Sequence, residues 1–169
     1  KKINMKKTFT LILLLTINTI LNAQCWQSVS AGQHHTLAIK SDGTLWAWGR
    51  NDYFQLGDGT AISKLSPIQI SSDTNWADVS SNDWHSVALK NDGTLWSWGY
   101  NQYGVLGNGT NIGISEPTQI GTDSDWNKVS TGINHTIAIK QNGTLWAWGY
   151  NYSGALGDGT NVNKLTPIQ

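Results

Sequence analysis

The sequence of 169 residues holds little of several residue types on which common protein classes depend. Cys25 is the only cysteine, so an internal disulfide and a cysteine-based metal cluster are excluded. Glu116 is the only glutamate, so a glycoside hydrolase's glutamate pair is absent, although aspartates could take that role. The motifs G-x-S-x-G, H-E-x-x-H and G-K-S/T are also missing. We therefore predict a protein that is not an enzyme and that needs no cofactor and no metal.

Long apolar runs are scarce, and the one that is present lies near the N-terminus. It extends from Phe9 to Leu21, about 13 residues, which is short of the roughly 20 needed to span a bilayer. Two lysines precede it and Ala23 follows it, which is the pattern of a secretory signal. We interpret residues 1–23 as four upstream residues and a signal that starts at Met5 and is cleaved after Ala23.

Two alternatives to this cleaved signal remain, namely a lipoprotein signal that uses Cys25 and an uncleaved N-terminal strand or helix. A cleaved signal predicts export to the periplasm, the cell surface or the medium, with no transmembrane span in the mature chain.

Positive charge is also scarce once the N-terminal segment is set aside. The formal net charge of the whole chain is zero, but from Gln24 onward seven basic residues face eleven acidic ones, a net charge of −4. Nucleic-acid-binding domains present a basic face. We therefore predict no nucleic-acid partner.

Tryptophan and glycine are abundant, with 10 and 18 copies, and they recur at a fixed period. The stretches "GTLWAWGRN", "GTLWSWGYN" and "GTLWAWGYN" begin at Gly43, Gly93 and Gly143, 50 positions apart. Such agreement in phase indicates a repeat array. We divide the chain into repeats over residues 26–75, 76–125 and 126–169, of which the last is incomplete.

Each repeat has the pattern of short β-strands. "HTLAIK" (His35–Lys40) alternates, "SDG" is a turn, and "TLWAWG" (Thr44–Gly49) completes a hairpin. "PIQI" (Pro67–Ile70), with proline at its start, is a third strand, and "WADVS" (Trp76–Ser80) is a fourth. Four strands per repeat without helical periodicity predict an all-β fold in which each repeat is one blade of a β-propeller.

Both faces of these strands are apolar or small, as a blade between two neighbours requires. Leu37 and Ile39 share one face, and Thr36 and Ala38 share the other. The two tryptophans of each hairpin strand share a face, and we predict that they pack against the next blade. These packing residues are Trp46, Trp48, Trp96, Trp98, Trp146 and Trp148.

A glycine-rich segment follows each hairpin. "LGDGT", "LGNGT" and "LGDGT" begin at Leu56, Leu106 and Leu156, and alternate glycines indicate a compact loop. We predict that Asn51, Asn101 and Asn151 hold this loop through side-chain hydrogen bonds. Asp52, Asp58 and Asp158 are interpreted as turn residues.

The stretch "VSAGQHHTLAIKSDGTLWAWGRNDYFQLGDGT" resembles the regulator of chromosome condensation repeat. It has that repeat's glycine and histidine before the first strand, its D-G turn, its aromatic-x-W-G-x-N strand and its L-G-x-G loop. The resemblance covers Trp26 to Gln169. It departs at Phe54 and Asn82, where the other copies place glycine.

The resemblance implies a propeller that usually has about seven blades. We therefore expect these three repeats to be the N-terminal part of a longer, exported bacterial member of the family. Assembly of several short chains into one ring is the alternative.

The resemblance also points to the blade ends as a binding rim. In the family's best-known member, an exchange factor for the Ran GTPase, aspartates and histidines at this end contact the GTPase. The corresponding candidate binding residues here are Gln33, His35, Asp83, Trp84, His85, Asn134 and His135.

Structural roles are the alternatives for these rim residues. The histidines could hydrogen-bond a neighbouring loop and pin the blades, and Trp84 could be a buried filler. We expect no metal at the three histidines, because successive blades spread them around the ring.

The prediction for function is an exported, non-catalytic scaffold that binds a protein of unknown identity. A carbohydrate-binding propeller, with a glycan as partner, is one alternative, and the targeting module of a larger enzyme is another. Nucleotide-exchange activity is not expected, because the Ran GTPase is intracellular and the equally spaced copies carry no inserted hairpin.

Overall fold

The computed structural model describes residues 25–169. The predicted signal over residues 1–23 lies outside the described residues. Three four-stranded antiparallel sheets follow one another along the chain, so the predicted all-β fold of propeller blades is confirmed. Among the described residues, no helix is long and apolar enough to cross a membrane.

Each sheet is built from strands taken in chain order. Blade 1 contains β1 (Trp26–Ala31), β2 (His35–Lys40), β3 (Leu45–Gly49) and β4 (Lys64–Gln69). Blade 2 contains β5 (Trp76–Ser81), β6 (His85–Lys90), β7 (Leu95–Gly99) and β8 (Ile114–Gln119). Blade 3 contains β9 (Trp126–Thr131), β10 (His135–Lys140), β11 (Leu145–Gly149) and β12 (Lys164–Ile168).

The outer strand of blade 1 differs from its prediction. β4 begins at Lys64, and Pro67 lies within the strand instead of at its start. The pairing of β3 with β4 shifts register between Ala47 and Gly49, and Pro67 has no partner in that register. A proline is tolerated there because an outer edge strand leaves some N–H groups unpaired in any case.

The hydrophobic core consists of two clusters, one between each pair of neighbouring blades. In the first cluster, Leu37, Ile39 and Leu45 of blade 1 pack against Trp76 and Trp98 of blade 2. In the second, Val87, Leu89 and Leu95 pack against Trp126 and Trp148 of blade 3 in the same way. Each blade therefore presents an aliphatic face to the blade that follows it.

The expectation that the paired tryptophans face the next blade is wrong, because they face the preceding one. Alternation along a strand shows that two side chains share a face, but it does not show which neighbour that face meets. Trp26 is 47% exposed, whereas its counterpart Trp76 is 1% exposed, because no described blade precedes blade 1.

Candidate functional site

Each seam, by which we mean the contact between successive blades, contains a hydrogen-bond network around one backbone carbonyl. The carbonyl oxygen of Gln55 accepts from Ser86 Oγ at 2.7 Å and from Trp98 Nε1 at 3.0 Å. His35 Nε2 lies 2.9 Å from the same Ser86 Oγ. Because the single hydroxyl proton of Ser86 goes to the carbonyl, its oxygen must accept from the histidine. The network thus joins a histidine and a loop of blade 1 to blade 2.

The second seam repeats this network with different residues. Thr136 Oγ1 donates to the carbonyl of Val105 at 2.8 Å, and Trp148 Nε1 donates to the same oxygen at 2.8 Å. His85 Nε2 lies 3.1 Å from Thr136 Oγ1. In both seams the hydroxyl group belongs to the second residue of the blade's second strand, Ser86 in β6 and Thr136 in β10. Serine and threonine therefore both serve at this position.

The network determines the protonation of the buried histidines. With Nε2 donating, Nδ1 of His35 and of His85 is an unprotonated nitrogen, buried without a hydrogen-bond partner. Protonation would bury an unpaired charge, so burial lowers the pKa of His35 to about 4, with a further contribution from His34. Burial, together with His35 and His135, lowers the pKa of His85 to about 3. Both histidines are neutral at pH 7.

The structure therefore places His35 and His85 inside the seams and away from the surface. This geometry supports the pinning role, although the partner is a hydroxyl group of the next blade and not a loop backbone. His135 is less buried, and burial lowers its pKa as well. Within residues 25–169, no three His, Cys, Asp or Glu side chains are grouped so as to hold a metal ion.

The glycine-rich loop closes the same seam from the blade that precedes it. Asn51 Nδ2 donates to Asp58 and to the carbonyl of Thr60, and its Oδ1 accepts from the Leu56 N–H, which confirms the predicted loop-holding role. Gly57 has φ of 79°, and a Cβ there would lie 2.7 Å from Trp98 Nε1. Glycine is therefore required both by the turn and by the close approach to the tryptophan.

Aromatic side chains cross the surface at the end of the blades where β2, β6 and β10 begin. Neighbouring rings lie 4.9 Å apart for Tyr53 and Trp84, 5.5 Å for Tyr53 and Tyr100, and 6.4 Å for Tyr100 and Tyr103. The series continues into blade 3, with 4.9 Å from Tyr103 to Tyr150 and 6.4 Å from Tyr150 to Tyr152. We call this set the aromatic row; its members are Trp84, Tyr53, Tyr100, Tyr103, Tyr150 and Tyr152.

Charged and polar groups flank one end of the aromatic row. The guanidinium of Arg50 lies 5.0 Å from the ring centre of Trp84, and His34 packs at 6.2 Å from the same ring. Arg50 also forms an ion pair with Asp52 at 2.7 Å. Burial, with Tyr53 and Tyr103 nearby, raises the pKa of Tyr100, so its hydroxyl stays protonated at neutral pH.

A groove of about 250 Å³ opens within the aromatic row. We call it the rim groove; it is lined by Tyr53, Trp84, Tyr100, Tyr103 and Asn134. Two of the residues predicted for binding, Trp84 and Asn134, therefore meet at one surface feature. Gln33 and Asp83 form a separate pair, in which the amide nitrogen of Gln33 donates to the Asp83 carboxylate.

Sequence reasoning missed the tyrosines of the aromatic row. They occupy positions at which the three copies differ: Arg50 corresponds to Tyr100 and Tyr150, and Asp52 corresponds to Gln102 and Tyr152. The constant residues define the repeat, and several of them, such as His85 and Trp98, are buried in the seams. Variation between copies at surface loops was the available signal.

With the repeated blade geometry established, the family can be assigned. The sequence matches the family described as "Regulator of chromosome condensation (RCC1) repeat" over residues 42–89, 92–139 and 142–169. A second family of the same description matches residues 26–55, 76–105 and 126–155. The chain belongs to the RCC1 repeat family. The resemblance carried by the sequence motifs is thereby confirmed.

Curated relatives share single stretches with this RCC1 repeat chain. The Ultraviolet-B receptor UVR8 of Arabidopsis thaliana is 43% identical over 42 residues, which is 25% of this chain and 10% of that protein. Protein pim1 of Schizosaccharomyces pombe is 55% identical over 31 residues, 18% of this chain and 6% of that protein. The matched stretches thus span a tenth or less of these relatives.

Solved structures show the same fold. Human WBSCR16 superposes with a TM-score of 0.76 at 24% identity, over 88% of this chain and 40% of that one. Prp20p from Saccharomyces cerevisiae gives a TM-score of 0.74 at 24% identity, over 85% of this chain and 37% of that one. The RCC1 repeats described here span less than half the length of these two propellers.

Proposed function

We propose that this chain is an exported, non-catalytic protein-interaction module that binds its partner through the aromatic row. One observation carries the proposal: residues that differ between repeats converge on one surface, while constant residues such as His85, Trp98 and Asn101 are buried. Blade geometry accounts for the common residues. It does not account for six aromatic side chains placed side by side at the rim.

The composition of the aromatic row is that of a protein-binding surface. Tyrosine, tryptophan and arginine are the residue types that dominate binding energy at protein interfaces. Tyr53 is 40% exposed and Tyr152 is 71% exposed, while Trp84 and Tyr100 are half-buried among their neighbours. Rings already held by neighbouring rings lose little conformational entropy when a partner binds.

The fold itself fits a protein-interaction module. A solved structure of the similar yeast protein Prp20p is described together with binding to Gsp1p and histones, and another shows Kap60 bound to it. Those partners belong to that protein, and identity below 25% carries over only the fold. They support the general role and not a particular partner.

A carbohydrate ligand is the second candidate. The amide of Asn134 beside exposed tyrosine rings is a combination that suits sugars, whose hydroxyl groups and apolar faces need both kinds of contact.

Panning a displayed random-peptide library against the full chain tests the proposed function. We expect recovered peptides to bind the wild-type chain and to bind Trp84→Ala at least about tenfold more weakly, a loss of about 1.4 kcal/mol. The control is Ile112→Ala, which removes a 70% exposed apolar side chain outside the row and should leave binding unchanged. Binding that is insensitive to Trp84→Ala would remove the aromatic row from the proposal, whereas Trp84-dependent hits on a glycan array would favour the second candidate.

Export is tested separately, because it rests on the pattern of residues 1–23 alone. We expect a fusion of residues 1–30 to alkaline phosphatase to be active in a bacterial host, since that enzyme works only after export. N-terminal sequencing of the product should begin at Gln24. A lipid attached to Cys25 would instead support the lipoprotein signal, and an inactive fusion would contradict export.

A further inference from the structure

We infer that the rim groove binds an extended, proline-rich peptide segment of the partner protein, an inference that rests on the proposed function. The groove is short, open at the surface and lined by four aromatic rings and one amide. Grooves with aromatic walls receive polyproline II segments in several unrelated domains, because the preformed peptide helix loses little entropy on binding.

The relative orientation of the rings favours such a ligand. Tyr53 meets Trp84 at an interplanar angle of 79° and Tyr100 at 83°, and Tyr100 meets Tyr103 at 73°. Rings that meet edge to face form a corner between the face of one ring and the edge of the next. A pyrrolidine ring is compact enough to lie in such a corner and to contact both rings.

The same orientations disfavour a sugar in this groove. A sugar ring stacks on an open, flat aromatic face, but Arg50 lies over the Trp84 ring at 5.0 Å and the tyrosines meet nearly at right angles. The one stacked pair in the row, Tyr150 and Tyr152 at 30°, is not part of the groove lining. The groove therefore fits a peptide better than a glycan.

Hydrogen-bond donors in the groove complement a polyproline backbone. A polyproline II segment has no internal hydrogen bonds, so its carbonyl oxygens need donors from the partner. The indole N–H of Trp84, the side-chain amide of Asn134 and the hydroxyl of Tyr103 line or border the groove. Within residues 25–169, none of these three donors is engaged in a hydrogen bond, so each is available to a ligand carbonyl.

The charge of the groove points to an uncharged peptide core. The five lining residues include no Asp, Glu, Lys, Arg or His. Arg50, which lies over the Trp84 ring, is paired with Asp52. We therefore expect binding to depend only weakly on salt concentration, since few charges are desolvated.

The row also sets the expected spacing of prolines. A polyproline II helix has three residues per turn and rises about 3.1 Å per residue, so residues three apart point the same way about 9 Å apart. The two prolines of a P-x-x-P segment would then contact different rings of the row, such as Tyr53 and Tyr103. The row continues from Tyr103 to Tyr150 at 4.9 Å, which gives a longer peptide further contacts.

The experiment uses the full chain and two pools of synthetic peptides of about ten residues, which extend about 30 Å as a polyproline helix. One pool carries P-x-x-P at its centre, and the matched pool carries A-x-x-A. We expect the proline pool to bind at least about tenfold more tightly than the alanine pool. Trp84→Ala and Tyr103→Ala should each abolish this preference, and Ile112→Ala should preserve it. Circular dichroism checks that each variant is folded.

The outcomes separate this inference from the proposed function. If both pools bind equally well and both depend on Trp84, the row binds peptides without a preference for proline, and only the inference fails. If neither pool binds and no displayed peptide binds either, both the inference and the proposed function fail. If an oligosaccharide binds at the row and competes with the proline pool, the groove is not specific for a peptide, and the inference is overturned.

Discussion

Tryptophan occurs both in the seams and in the aromatic row, but its surroundings differ between the two. Trp98 in the first seam is fully buried, donates to the Gln55 carbonyl at 3.0 Å and lies against aliphatic side chains. Trp84, which is 14 positions earlier, is half-buried on the rim and is surrounded by Tyr53, His34 and Arg50. One tryptophan joins two blades, and the other lies on the surface for which we propose a binding role.

This difference shows which residues the repeat architecture dictates. Each seam needs an indole N–H, a hydroxyl and a histidine at fixed positions, because the same carbonyl must be bonded each time. The rim has no such requirement, so its residues are free to differ from blade to blade. In a repeat protein, internal variation is therefore a guide to the binding surface, while internal constancy is a guide to packing.

The largest effect that we predict is the loss of a seam tryptophan. Trp98→Ala removes a fully buried side chain and its hydrogen bond, so the free energy of unfolding should fall by about 3–5 kcal/mol. Denaturant unfolding monitored by circular dichroism measures this change.

Trp48→Ala is the matched control for Trp98→Ala, because Trp48 has the same place in blade 1 but no described blade packs against it. The free energy of unfolding should fall distinctly less for Trp48→Ala than for Trp98→Ala. Equal losses for the two variants would mean that the tryptophans stabilise their own blades, and the seam would lose its assigned role.

Acid should weaken the seams through their histidines. The folded pKa of His35 and of His85 is lowered to about 4 and about 3, so the unfolded chain binds more protons below its own histidine pKa near 6.5. Stability is therefore greatest above that pH and falls as pH decreases from about 6.5 toward 4. Between pH 7 and pH 5 we expect a loss of about 2 kcal/mol for each histidine.

Denaturant unfolding at several pH values measures the acid effect, and the variant His85→Gln should show a shallower dependence than the wild-type chain. A wild-type chain equally stable at pH 7 and pH 5 would contradict the neutral, Nε2-donating histidines. Rim variants such as Tyr152→Ala should keep the full pH dependence.

Alanine substitutions at Gly57 and Gly157 test the seam with a smaller expected effect on stability. Both have positive φ, 79° and 73°, but only Gly57 would place a Cβ against another blade, 2.7 Å from Trp98 Nε1. Gly157 would meet nothing within 4 Å. Gly57→Ala should therefore destabilise the chain by about 1–3 kcal/mol more than Gly157→Ala, which bears only the backbone cost. Thermal unfolding of the two variants, measured side by side, gives the difference directly.

Much of the fold could be predicted because the repeat shows each local pattern three times. The alternation in His35–Lys40 and the turn at Gly43 identified the hairpin, and the structure confirms it. The neighbour that Trp96 and Trp98 meet could not be predicted, because strand alternation is symmetric with respect to the two sides of a blade. The early start of β4 was missed because its residues near Pro67 lie outside the regular ladder.

The site was less predictable than the fold. Trp84 and Asn134 were among the binding residues predicted for the rim, but Tyr53, Tyr103 and Tyr150 were not. Their proximity depends on how far one blade is rotated from the next, which brings Tyr103 of one loop to 4.9 Å from Tyr150 of another. That rotation is a tertiary property, and no local sequence pattern encodes it.

The smallest expected effect on stability comes from the rim, and it completes the comparison of the two tryptophans. Trp84→Ala removes ring contacts with Tyr53 and His34 and a cation–π contact with Arg50, each of modest energy. The free energy of unfolding should fall by about 1 kcal/mol, well below the loss for Trp98→Ala. Peptide binding should respond in the opposite way. Trp84→Ala should weaken binding, whereas Trp98→Phe, which should be milder than Trp98→Ala, leaves the rim unchanged and should still bind. If Trp84→Ala destabilises the chain as much as Trp98→Ala does, Trp84 is a packing residue, and the aromatic row loses its central member as a binding site.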